Sequence, residues 1–110
     1  MNFDESSLFS KELKRLARKY KSLHKDLEEF KQVIAAVPLG TSKHFNVLTK
    51  TEQCVIVKAR LFCRYLKGSA LRIVYAYKEE HTLIEFIEVY FKGDKENEDQ
   101  DRIREYLEAQ

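Results

Sequence analysis

The segment Cys54-Val55-Ile56-Val57-Lys58-Ala59-Arg60-Leu61-Phe62-Cys63-Arg64-Tyr65-Leu66 decides the fold. Its odd positions Val55, Val57, Ala59, Leu61, Cys63 and Tyr65 are all apolar, and its even positions include Lys58, Arg60 and Arg64. Successive side chains of a strand point to opposite faces, so a period of two over this length is a β-strand with one face against a core. Lys67-Gly68-Ser69 reads as a turn. The next strand is Ala70–Tyr77, rich in β-branched and aromatic residues. Lys78-Glu79-Glu80-His81 is a second turn, and Thr82–Phe91 is a third strand. Short turns between consecutive strands imply an antiparallel meander.

Upstream, the period changes to that of a helix. Phe9, Leu13, Leu16, Ala17 and Tyr20 form one apolar stripe, and Leu23, Leu27, Phe30, Ile34 and Val37 form another. Ser22 is the expected N-cap between them, and Pro38 and Gly40 end the second helix. Residues 39–53 read as a loop in which Phe45, Val47 and Leu48 tuck against the core. Residues 2–5 suit a short extra strand. Downstream, Lys92–Glu98 is a charged loop, Asn97 with Gln100 fits a cap, and Ile103, Tyr106 and Leu107 mark one side of a last helix. The expected fold is α+β, a single domain over residues 1–110. An N-terminal helical hairpin packs on the odd face of a small curved, mainly antiparallel sheet, and a C-terminal helix follows.

A chain of 110 residues, 44% hydrophobic and 35% charged, has room for one domain. No apolar run approaches the ~20 residues of a membrane helix. The first residues, Met1-Asn2-Phe3-Asp4-Glu5, are acidic and lack the apolar stretch of a secretory signal, so the cytoplasm is the expected compartment. Cys54 and Cys63, an odd number of positions apart in one strand, fall on opposite faces as free thiols. His24, His44 and His81 have no ligand spacing and no glycine-rich phosphate loop is present, so neither metal nor cofactor is expected. The net charge of +2 hides an asymmetry. Residues 11–25 carry seven bases against Glu12, residues 41–92 carry nine bases and five acids, and residues 93–110 carry seven acids and three bases.

Chemistry concentrates on the even face of the meander. Lys58 and Arg60 share that face of the first strand, and Arg72 shares a face of the next strand with Val74 and Ala76. Depending on register, Lys58 or Arg60 stands near Arg72, and like charges placed together suit an intervening anion such as phosphate. The alternative is a solvated sheet face on which Glu85 or Glu88 neutralises the arginines.

Four stretches, taken together and in order, resemble the RelE/ParE-type toxins of bacterial toxin–antitoxin systems, in particular the ParE-like branch. They are Phe9-Ser10-Lys11-Glu12-Leu13-Lys14-Arg15-Leu16, Lys58-Ala59-Arg60, Leu71-Arg72-Ile73-Val74-Tyr75-Ala76-Tyr77 and Phe86–Glu96, which includes Lys92-Gly93-Asp94-Lys95. The resemblance implies a metal-independent ribonuclease that cuts mRNA on the ribosome. Lys58 and Arg60 would serve as base or phosphate ligand, Arg72 would hold the phosphate, and Lys92 or Lys95 would supply the basic residue of the loop. It also implies a cognate antitoxin that covers the basic groove. This chain departs from the pattern at Asn97–Arg102, where RelE-type toxins carry a tyrosine. Three functions therefore stand open: an mRNA endonuclease, a toxin that binds a protein target such as DNA gyrase, and a degenerate toxin kept as an antitoxin partner.

Overall fold

The computed structural model describes residues 1–40 and 42–110; Thr41, inside the loop expected over 39–53, lies outside the described residues. The chain runs β1 (Asn2–Glu5), α1 (Ser7–Lys19), α2 (Leu23–Ala36), β2 (Phe45–Lys50), β3 (Val55–Cys63), β4 (Gly68–Lys78), a single 3₁₀ turn (Glu79–His81), β5 (Leu83–Phe91) and α3 (Gln100–Glu108). One sheet has the order β1-β5-β4-β3-β2. All its pairs are antiparallel except β1 with β5, which is parallel. The expected α+β architecture is the observed one.

The alternation of β3 divides the protein into two cores. Its odd residues Val57, Ala59, Leu61 and Cys63 face the helical hairpin, together with Leu71, Ile73 and Tyr75 of β4. The hairpin supplies Phe9, Leu16, Leu23 and Ile34, all essentially inaccessible. Burying each such side chain contributes about 1.5–3 kcal/mol. A smaller core lies on the other face, where Ile103 of α3 packs on Ile56, Val74, Ala76, Ile87 and Cys54. The two cysteines are free, buried and in different cores.

Four local expectations are corrected. The first strand of the meander ends at Cys63 and the turn to β4 is Arg64–Lys67, so Tyr65 leaves the strand and Gly68 and Ser69 belong to β4. Residues 45–50 form an edge strand, with Phe45 opposite Ala59 and Lys50 opposite Val55. The bulge at Leu48 interrupts its alternation, and Val47 is exposed instead of tucked in. Ser22 is the N-cap of α2, as expected, but its conformation is helical and its side chain makes no capping bond. Its hydroxyl instead donates to Asp26 Oδ2 at 2.6 Å and accepts from Tyr65 N at 2.9 Å, tying α2 to the turn after β3. The cap of α3 is Asp99, which accepts from Arg102 N, where Asn97 was expected. Gly40 adopts a positive φ of 72°, and a Cβ there would stand 2.1 Å from the Phe45 ring, so only glycine lets Phe45 stack on Phe30.

A bulge in β5 carries the short last helix. Val74 pairs with Glu88 and Tyr75 with Phe86, which leaves Ile87 as the extra residue. The neighbouring backbone groups are satisfied from both layers. Glu12 of α1 accepts from Val89 N at 3.2 Å, and Arg102 of α3 donates to the Ile87 carbonyl. The two side chains also meet each other in a two-pronged pair at 2.7 and 3.0 Å. Charged hydrogen bonds in a largely shielded place are worth about 1.5–3 kcal/mol. Arg102→Met is expected to lower unfolding stability in urea by about 2 kcal/mol, whereas Arg104→Met, which breaks an exposed pair with Asp101, changes it by less than about 0.5 kcal/mol. Equal effects would show that the bulge does not rely on Arg102.

Candidate functional site

Because α3 covers only part of the second sheet face, the remainder lies open. The register there aligns two rows of side chains across the sheet. In one, Asn46, Lys58, Val74 and Glu88 stand opposite one another on β2, β3, β4 and β5. In the next, Arg60 of β3 faces Arg72 of β4, which faces Tyr90 of β5. The segment before β2 closes one side, because Arg60 N donates to the His44 carbonyl at 3.0 Å. The start of the loop after β5 closes the other, because Lys92 N donates to the Ala70 carbonyl at 2.9 Å.

These walls enclose a cleft of about 100 Å³ lined by Lys43, His44, Lys58, Arg60, Arg72 and Lys92, together with Asn46 and Ala59. No carboxylate is among its lining residues. Arg72 uses Nη1 to hold the carbonyls of Ser69 and Leu71. Its remaining nitrogens and the whole Arg60 guanidinium make no ion pair among the described residues. Burial first, and then the charge of Arg60, lower Arg72 below the usual guanidinium value, with Tyr90 acting in the opposite sense. Two guanidinium groups on directly opposite cross-strand residues repel, and an anion between them relieves that repulsion while accepting their planar donors.

The other sequence candidates are engaged. Lys58 lines the cleft, but its ammonium sits 2.8 Å from Glu98 Oε1, and the Glu98 side chain is only 7% exposed. Lys95 lies outside the lining and pairs with Glu88, a fully buried carboxylate that also accepts from Asp99 N at 2.9 Å. The Lys95 ammonium stands 5.0 Å above the Tyr90 ring. Glu85 pairs with Lys78, so neither Glu85 nor Glu88 neutralises the arginines. Among the described residues, no three His, Cys, Asp or Glu side chains come together to hold a metal ion.

Lys43, His44 and Asn46 line the cleft, and Tyr90 stands opposite Arg72 outside its lining, none of them singled out from the sequence. Asn46 lies in the edge strand β2 and Lys43 and His44 in the turn just before it, so their approach to Arg60 depended on an unrecognised pairing. Tyr90 was hidden by the β5 bulge. It is almost fully buried, and its hydroxyl has no partner among the described residues. Burial, followed by Glu98 and Glu88, pushes its phenol up to about 12 against the pull of Arg72. Tyr106 cannot serve the cleft, since its hydroxyl donates to Glu85 Oε1 at 2.6 Å.

No family model matches the sequence, and no curated protein matches it either. Among solved structures, one chain in the crystal structure of an archaeal RelE-RelB complex from Pyrococcus horikoshii OT3 superposes with a TM-score of 0.64, at 17% identity, over 86% of this chain and 97% of that one. The fold is RelE-like. Within this RelE-like fold the cationic cleft lies on the sheet face opposite the helical hairpin, and no described helix is long and apolar enough to cross a membrane.

Two outcomes are expected at this site. Titration with inorganic phosphate should move the amide resonances of His44, Arg60 and Arg72, with about tenfold weaker binding in Arg72→Ala; an Arg72→Ala protein that binds equally well would place the anion elsewhere. The second concerns Glu98. Its burial alone would raise the carboxyl, but the hydrogen bond and charge of Lys58, a backbone amide and Gln100 outweigh it and hold Glu98 below the usual carboxylate range. A depressed carboxyl adds stability above its unfolded value, and that contribution fades as pH falls through the folded one. Carboxyl NMR titration should show Glu98 rising toward its ordinary midpoint in Lys58→Met, and an unmoved midpoint would remove Lys58 as the cause.

Proposed function

We propose that this chain is the toxin component of a toxin–antitoxin pair and a metal-independent endonuclease that cuts mRNA at the ribosome. The observation that carries this reading is the Arg60–Arg72 pair, on directly opposite residues and without a carboxylate partner, in a cleft lined by further cations. The fold it shares with a chain of a RelE-RelB complex supports an antitoxin as the partner. In this reading the ribose 2′-hydroxyl attacks the adjacent phosphorus. Arg60 and Arg72 hold the phosphate oxygens, and such aimed donors are each worth about 2.7–4 kcal/mol as charge builds on them. His44, at the cleft wall, takes the hydroxyl proton on a ring nitrogen. Lys92 stands on the opposite wall, where it assists the leaving oxygen. Positioned proton transfer contributes about 10²- to 10⁴-fold.

A specific observation also favours a second reading. The unpartnered Tyr90 hydroxyl is buried and outside the cleft lining, Glu85 holds the Tyr106 hydroxyl, and Glu98 places a carboxylate on Lys58 at the cleft border. A toxin that binds a protein target such as DNA gyrase, or a degenerate one that only binds its antitoxin, needs no tyrosine hydroxyl in the cleft. Induced expression separates the readings. Growth arrest with new internal mRNA ends, both lost in Arg72→Ala, is the expected result. Arrest without new ends would overturn the nuclease and support a protein target, and no arrest would favour the degenerate toxin.

A further inference from the structure

A second cavity of about 320 Å³ lies beside the cationic cleft, where α2 meets the far end of β3. The pairing of β2 with β3 stops at Phe45 and Ala59, while β3 continues to Cys63 against β4. Beyond Arg60 the outer side of β3 therefore has no strand beside it, and the groove runs along that free edge. The groove and the cleft share Arg60 and His44 in their linings. Ser69 adds a third link, since it lines the groove while its carbonyl is held by Arg72 of the cleft. A ligand held between Arg60 and Arg72 can thus continue into the groove without leaving the protein surface.

The lining defines the chemistry of that continuation. Phe30 and Phe45 form a stacked pair in the wall, and Phe62, 51% exposed, stands at the rim. Leu61 and Cys63 point under the hairpin, so Phe62 between them lies on the face of Arg60. Two residues along a strand are ~7 Å apart, the separation that one ribose puts between a phosphate and its base. Exposed aromatic rings take bases by stacking, whatever their sequence. Charge orients the ligand. The cations of the groove are the two it shares with the cleft, whereas its carboxylates, Asp26 and Glu29, are held further along at Arg64, which donates its amide to the first and its guanidinium to the second. Carboxylates repel a second phosphate, so the groove takes the uncharged end of a ligand whose anionic end sits at Arg60.

We propose that this groove is a nucleobase subsite. The nucleotide whose phosphate lies between Arg60 and Arg72 directs its base around the free edge of β3 and stacks it on Phe62. The subsite extends the proposed RNA cleft and therefore rests on that reading.

The test is NMR titration of the intact chain with adenosine 5′-monophosphate and with methyl riboside 5-phosphate, which has a methoxy group where the base stands. Both should move the amide resonances of Arg60 and Arg72, and only the nucleotide should also move those of Val33 and Phe62. The nucleotide should bind about tenfold more tightly, within the usual worth of one stacked base. Phe62→Ala, at an exposed rim position that leaves both cores intact, should remove that advantage and leave the affinity for the riboside phosphate unchanged. The comparison of the two ligands on the wild-type chain decides the matter even if Phe62→Ala fails to fold. Equal affinities, unmoved Val33 and Phe62 resonances, or an equal loss of both ligands in folded Phe62→Ala would overturn the base subsite while leaving the phosphate cleft in place. A riboside phosphate that leaves Arg60 and Arg72 unmoved would overturn the cleft itself, and the subsite with it.

Discussion

The position of α3 depends on the Glu12–Arg102 pair. A bulged strand exposes backbone groups that its neighbours cannot reach, and in β5 those groups are met by one acid from α1 and one base from α3. The same pair joins the two helical layers around the edge of the sheet, just past the end of β1. Once Arg102 is fixed, Ile103 reaches the second core, Tyr106 reaches Glu85, and the preceding loop delivers Asp99 N and Lys95 to the buried Glu88. A nine-residue helix held this way covers only part of the sheet face. The uncovered remainder is the cleft, so the limits of the second core define the site.

The cleft is electrostatically one-sided because every nearby acid is already engaged. Glu98 is held by Lys58, Glu88 by Lys95, and Glu85 by Lys78 and Tyr106. Each pair neutralises a lysine that would otherwise have added to the positive field. The guanidinium groups of Arg60 and Arg72 escape this neutralisation. Their rigid planar donors suit a tetrahedral oxyanion better than a mobile ammonium does.

The alternation of residues 54–63, the apolar stripes of the hairpin and the order of the meander strands were legible in the sequence because each buries a continuous face. The short β2 was not, because an edge strand with a bulge at Leu48 and an exposed Val47 carries no clean period. That miss concealed Lys43, His44 and Asn46. The placement of Arg60 and Arg72 on one face could be read from parity, but their direct opposition depends on register, which the Arg64–Lys67 turn sets together with the shift between Leu61 and Cys63. Tyr90 and the engagement of Lys95 were out of reach for a related reason. The extra residue Ile87 shifts the face assignment along β5, and the loop that returns Lys95 has no periodic signal.

The two cysteines give each core its own internal chemical probe. Cys63 is sealed beneath the helical hairpin and Cys54 beneath α3, and neither thiol meets solvent in the native state. A thiol reagent can therefore modify either one only after the layer above it lifts, and the rate reports the free energy of that opening. The layer over Cys54 is a single short helix with one buried anchor, Ile103, whereas that over Cys63 is a two-helix hairpin with a large aromatic and aliphatic interior. The chain thus carries a built-in ruler of local stability on each side of its sheet, and Cys54 reads the shallower side.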